Sequence, residues 1–223
     1  MPIAAAVGGA SVASAAVPEE KPKTLGKILF VVTSHGDLGN TGRKTGYWLS
    51  EVTHPWKVLR DAGYEIDFVS PKGGECPVEG QDASDPINKA FAQDLSAQRK
   101  INFTMKPSEV KPEEYKAIFF AGGHGVMWDF PNNKQLAEIT SKIYEQGGVV
   151  AAVCHGPAGL VNVKLSNGKY LVDGKKINSF TNSEEKGIGL DKVVPFALEP
   201  ALVKHGAKLQ CSDYYQSHVV VND

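Results

Sequence analysis

The 223-residue chain has a formal charge of −1, with 42% hydrophobic and 22% charged residues. That is the mix of an ordinary soluble globular protein, and it gives no electrostatic ground for a nucleic-acid partner or an anionic membrane. No apolar stretch approaches the roughly 18 residues of a membrane-spanning helix, and three cysteines (Cys76, Cys154 and Cys211) are too few, and odd in number, for a disulfide framework.

Residues 1–25 read as a disordered leader that ends in the polar linker Pro18–Thr24. The alternative is a degenerate export signal, since small apolar residues run to an Ala-Ser-Ala end without a positive n-region. The leader reading puts the protein in the cytoplasm; a signal remnant over residues 1–17 would make it exported or periplasmic.

From residue 26 to 223 a single domain is expected. "KILFVV" (27–32) is a short run rich in β-branched residues and reads as a buried strand. A glycine-rich loop follows. Residues 47–62 read as a helix that closes at Gly63, with Pro55 predicting a kink or break. "YEIDFVS" (64–70) is the second strand, and residues 71–112 are rich in Pro, Gly and Asp with a helical patch near 87–100.

"KAIFFAGG" (116–123) reads as a strand, 133–148 as an amphipathic helix with a Gly-Gly stop, and "VVAAVC" (149–154) as the next strand. "HGPAGLVNV" begins a short helix, and 169–180 suggests a hairpin around Asp173-Gly174. A helix near 192–205 and a last strand, "SHVVVND", complete the pattern. Strands alternating with helices predict an α/β fold: a mostly parallel sheet between helices on both faces. In such sheets ligands bind beyond the C-terminal strand ends, here the loops after Val32, Phe120 and Val153.

Cys154 stands at one of those ends. A structural cysteine in a strand is common, but "CHGP" demands a sharp strand-to-helix turn of the kind that presents a nucleophile. Placement at a helix N-terminus would lower the thiol pKa and favour thiolate. His155 could serve as its base or merely cap a helix. Glu184 and Glu185, in "FTNSEEKG", each could orient that histidine or stay solvated.

Glu51 lies among Tyr47, Trp48, Leu49 and Trp56. A carboxyl buried there would hold its proton towards neutrality and could shuttle it; a solvated helical residue is the plainer alternative. "AGGHG" (121–125) offers backbone N–H groups to an oxyanion, and His124 could bind substrate or cap a helix. "GDLGNTGRKT" resembles a phosphate loop, but five residues separate Gly36 from Gly42 and Arg43 follows, so nucleotide binding is rejected. The six histidines show no metal-ligand spacing, so no metal is expected.

Four stretches together resemble the ThiJ/PfpI family of the class I glutamine amidotransferase-like superfamily, within it the glutathione-independent glyoxalase (glyoxalase III) and heat-shock chaperone-like branch. They are "GYWLSEVTHPWKVLRDAGYEIDFVSPKGG", "FFAGGHGVMWDFPNN", "GGVVAAVCHGPAGL" and "FTNSEEKGIGLDKVVPF". The resemblance implies a flavodoxin-like fold and Cys154 as nucleophile, with Glu51 beside the thiol. It also implies His155 as base, Glu185 rather than Glu184 as the orienting acid, and the Gly123 and His155 amides as oxyanion pocket.

The implied activity is conversion of methylglyoxal to lactate without a cofactor, by a homodimer acting on small aldehydes. A stress holdase or protein deglycase is one alternative, and a Cys-dependent amidase or peptidase another. Family members continue past the last strand into an Asn-Pro turn and a C-terminal helix, which this sequence lacks.

Overall fold

The computed structural model describes residues 24–213 and 216–222, so the leader expected over 1–25 falls almost wholly outside the described residues. β1 (Lys27–Val31) is the spine of the sheet: Leu29, Phe30 and Val31 have no exposed surface. With β3 (Glu65–Val69), β5 (Tyr115–Phe120) and β6 (Val149–Ala152) it forms a four-stranded sheet in the order β3-β1-β5-β6, every pair parallel.

Successive side chains of a strand point to opposite faces, and β1 divides the core accordingly. Ile28 and Phe30 join Val52 and Trp56 of α1 (Leu49–Asp61), Phe91 of α2 (Pro86–Gln93) and Ile101 of α3 (Leu95–Asn102). Leu29 and Val31 join Met127 of α4 (Val126–Asp129), Ile139 and Ile143 of α5 (Lys134–Glu145) and Leu202 of α7 (Leu198–Lys204). Helices cover both faces, which is why the strands read as continuous apolar runs.

Local sequence sets the boundaries. α1 absorbs Pro55 without a break. The single patch expected at 87–100 is two helices, because Asp94 ends α2 and its side chain accepts from Ala97 N–H at 2.9 Å to begin α3. Asn133 caps α5 in the same way, and Gly147, at φ 86°, lets the chain leave it.

Three further expectations fail. The 169–180 hairpin is a series of turns leading into β7 (Lys176–Ile177), which pairs in parallel with β8 (Lys208–Leu209), a partner far along the chain. The helix near 192–205 is confined to α7, because turns and bends occupy 191–196. The described part of the last expected strand, 217–222, is not a strand: side-chain amides fasten it, Asn178 Nδ2 to the His218 carbonyl and the Lys176 N–H to Asn222 Oδ1, both at 2.9 Å.

A cavity of about 1030 Å³ lies between the outer edge of β6 and these last residues. A short parallel pair, β2 (Tyr47–Trp48) with β4 (Val78–Glu79), was not expected; it fixes the entry to α1.

The turn after β6 is packed against backbone. A Cβ on Gly156 would lie 2.3 Å from the carbonyl oxygen of Phe120, and that strand has nowhere to move. Gly156→Ala should therefore lose at least about 2 kcal/mol of unfolding free energy in urea, as an overpacked site does, whereas an alanine at the open Gly168 lacks that clash. Equal midpoints for Gly156→Ala and wild type would contradict the packing described.

Candidate active site

β6 keeps its ladder through the Val153 N–H, 3.1 Å from the Phe120 carbonyl, and then turns abruptly. Cys154 has φ 56°, the only positive value of a non-glycine residue among those described. Such a residue costs about 1–3 kcal/mol and persists only where its neighbours hold it. Two contacts do so: Phe180 N–H donates to the Cys154 carbonyl at 2.8 Å, and Gly156 N–H to that of Val153 at 2.7 Å. A five-residue 3₁₀ helix, Gly156–Leu160, follows.

Two glycines make room in front of the sulfur. A Cβ on Gly122 would meet Glu51 Oε2 at 2.6 Å and Cys154 Cβ at 2.7 Å. Gly123, at φ 92°, lies with its backbone against the Gly46 carbonyl. Trp48 N–H donates to the Gly122 carbonyl at 3.2 Å, and Gly122 N–H donates to Glu51 Oε2 at 2.7 Å. The start of α1 and the turn after β5 thus brace each other, and Glu51 is delivered to the thiol, with which it hydrogen-bonds. The N–H groups of Gly123 and His155 also point at the Cys154 sulfur.

His155 is buried, with Nδ1 3.4 Å from Cys154 Sγ and Nε2 2.7 Å from Glu185 Oε2. Phe180 packs on its ring at 4.4 Å between centroids. Glu185 lies on α6 (Asn182–Gly187), whose first turn closes as a capping box: Thr181 Oγ1 accepts from Glu184 N–H at 3.1 Å, and Glu184 Oε2 accepts from Thr181 N–H at 2.8 Å. Glu184 is turned back on the cap, and its neighbour, about 100° around the helix, faces the imidazole.

His124, expected near substrate, has its Nε2 3.0 Å from Glu185 Oε1 and its ring 4.3 Å from that of His155. All six residues singled out in the sequence therefore meet in one place. Cys76 is buried near Thr104 and Cys211 is exposed, both outside the cluster.

The electrostatics overturn one expectation. Burial pushes the Cys154 thiol well above its ordinary value; the Glu51 charge adds to this, outweighing the Gly123 and His155 amides. The helix behind the elbow is a short 3₁₀ turn, too small to supply the dipole that was to lower it. Although the residue keeps part of its surface in contact with solvent, its thiol rests protonated.

Burial likewise raises Glu51, against the pull of the Gly122 N–H and the thiol. Burial keeps His155 neutral, below its ordinary 6.5, despite Glu185. Burial opposes the charge on Glu185 too, but the two histidine hydrogen bonds outweigh it and bring its pKa to about 2. An anionic Glu185 demands a proton on His155 Nε2, which leaves the Nδ1 lone pair facing the thiol.

His124, His155 and Glu185 offer donor atoms within 4.8 Å of one another, a grouping invisible to spacing rules because it draws on two turns and a helix far apart in sequence. The Nε2 of each imidazole already has its own Glu185 oxygen, so hydrogen bonding accounts for the arrangement. Sequence reading missed the Phe180 packing and the His124–Glu185 link. The Thr-x-x-Glu signature at Thr181–Glu184 was available to assign Glu184 to the cap.

Residues 44–187 match the DJ-1/PfpI family. The glutathione-independent glyoxalase HSP31 of Saccharomyces cerevisiae is 37% identical over 199 residues, covering 82% of this chain and 81% of its own length. Two solved structures share the fold. The Rapid Encystment Protein 24 kDa of Francisella tularensis is 42% identical, with a TM-score of 0.85 and 89% of each chain covered. Glyoxalase III of Candida albicans is 30% identical, with a TM-score of 0.80 and 88% of this chain and 87% of its own covered.

Both shifted groups of the buried pair make the fold acid-sensitive. Glu185 is depressed from 4.5 to about 2, so its stabilisation is complete above about pH 4.5 and is lost as pH falls towards 2. His155 is depressed from 6.5, so the unfolded chain takes up that proton first and stability declines from about pH 6.5 downward. Glu185→Gln should begin about 3 kcal/mol below wild type at pH 7, and the gap should close through the lower interval. Urea titrations across pH check this; a gap that stays constant would contradict it.

Proposed function

This chain belongs to the DJ-1/PfpI family, and on that premise we propose that it is a glutathione-independent glyoxalase, converting methylglyoxal to lactate with Cys154 as nucleophile. The observation that carries the proposal is the convergence on one sulfur of a carboxyl, an imidazole and two backbone N–H groups. No helix of the described residues is long and apolar enough to cross a membrane. The same reading makes the working unit a cytoplasmic homodimer, which sedimentation would test.

The chemistry follows from what each group can hold. As the sulfur bonds to the aldehyde carbon, the thiol proton passes to Nδ1 of His155 and the new imidazolium is met by Glu185. The carbonyl oxygen gains charge in front of the Gly123 and His155 amides and is then protonated, giving a hemithioacetal. One proton must next leave C1 and another reach C2, through an enediol.

Glu51, whose buried carboxyl is shifted towards neutrality, suits a group that must both take and return a proton. The product is a lactoyl thioester. Water releases lactate and restores the thiol. One methylglyoxal and one water give one lactate, so the internal redox change needs no outside oxidant or reductant.

Exposed apolar surface beside β6 favours a second reading, a stress holdase. Val149 is 62% exposed, and Val219 and Val221 are each 80% exposed along the same cavity. Suppression of client aggregation by Cys154→Ala at the wild-type level would support it; loss of suppression with the thiol would not.

Lactate formation from methylglyoxal without glutathione is the direct test of the first reading. Cys154→Ala should lower kcat/KM by at least about 10³-fold, and Glu51→Gln by about 10²–10⁴-fold. Equal turnover by wild type and Cys154→Ala would end the proposal.

A further inference from the structure

Glu185 receives two imidazoles, while the relay from the thiol uses one. His155 Nε2 meets Oε2 at 2.7 Å, and His124 Nε2 meets Oε1 at 3.0 Å. The terminal torsion of a glutamate is broad and roughly two-fold. A single hydrogen bond therefore leaves the carboxylate free to swing about the bonded oxygen, whereas donors on both oxygens fix its plane.

The buried setting makes this matter. The Glu185 side chain is 9% exposed and His155 is 1% exposed, so bulk water is not at hand to replace a lost donor or to reset the imidazole. His155 must keep its proton on Nε2 for Nδ1 to accept from the thiol 3.4 Å away. The alternative tautomer would aim a lone pair at the Glu185 anion; only a correctly held Oε2 enforces the productive form.

We propose that His124 is a positioning residue for the Cys154–His155–Glu185 relay: by holding Oε1 of Glu185 it keeps Oε2 on His155 and so fixes the imidazole tautomer that faces the thiol. This departs from the role expected for it, a substrate contact, because its Nε2 is directed to Glu185. The inference rests on the relay proposed above but not on the identity of the substrate. His124 shapes its neighbours; the reacting atoms stay with Cys154, His155 and Glu51.

The test compares His124→Phe, which keeps a ring against His155 and Phe180 but has no donor, with His124→Gln, which keeps an N–H donor. Two readouts are needed: kcat and KM for methylglyoxal, and the His155 tautomer from ¹⁵N–¹H ring correlations, assigned by their loss in His155→Gln. His124→Phe should lower kcat roughly 10- to 100-fold with KM nearly unchanged, and His155 should become a mixture of tautomers. His124→Gln should recover most of both.

A raised KM with a single unaltered tautomer would overturn the proposal and make His124 a substrate contact. So would an unaltered tautomer in His124→Phe whatever the kinetics. If wild type forms no lactate, the glyoxalase reading falls alone, because the tautomer comparison is read without turnover.

Discussion

The left-handed backbone at Cys154 is the constraint on which the site depends. An L-residue there is disfavoured by about 1–3 kcal/mol because its Cβ crowds the following carbonyl. The cost is met by fixed partners on both sides: the Phe180 N–H on the Cys154 carbonyl, and the bare backbone of Gly156 against Phe120. The same kink takes the sulfur off the line of β6, turns the His155 amide towards it, and brings the His155 ring beside it. Phe180, which holds the elbow through its N–H, also packs its ring on His155, so one residue secures both the backbone and the imidazole.

Around this fixed point the site is assembled by absence as much as by contact. Gly122 and Gly123 carry no side chain where one would collide with Glu51, Cys154 or the Gly46 carbonyl. That emptiness lets three loops approach to hydrogen-bonding distance. The short β2–β4 pair then matters more than its two residues suggest, since it sets where α1 begins and hence where Glu51 points.

Much of this was legible in the sequence. "CHGP" after an apolar run reads as a sharp turn, and the aromatic neighbours of Glu51 allow a buried carboxyl beside the plainer solvated reading. The strands of the sheet were legible because burial on both faces makes them continuous in hydrophobicity. What was not legible depends on contacts distant in sequence. β7 finds its partner about 30 residues on, so neighbouring turn residues mimicked a hairpin. His124 and Glu185 lie 61 residues apart, and no periodicity could join them. Glu184 differs: its Thr-x-x-Glu signature is local and was there to be read.

The thiol's protonation is the subtlest departure, and it changes how reactivity must arise. The sequence suggested a helix dipole that would ionise Cys154 at rest, but an interior setting dominates a five-residue 3₁₀ helix. A protonated sulfur attacks only if its proton leaves as the new bond forms. In the proposed relay Nδ1 of His155 answers that requirement, which calls for an imidazole that is neutral, buried and held in one tautomer. A resting thiolate would tolerate a loosely placed histidine; a resting thiol does not. It would also be the readier target for oxidation, which follows thiolate character and exposure. On the proposed mechanism the nucleophile is confined to the moment a carbonyl lies against the Gly123 and His155 amides, and the burial that suppresses the thiolate makes attack conditional on substrate.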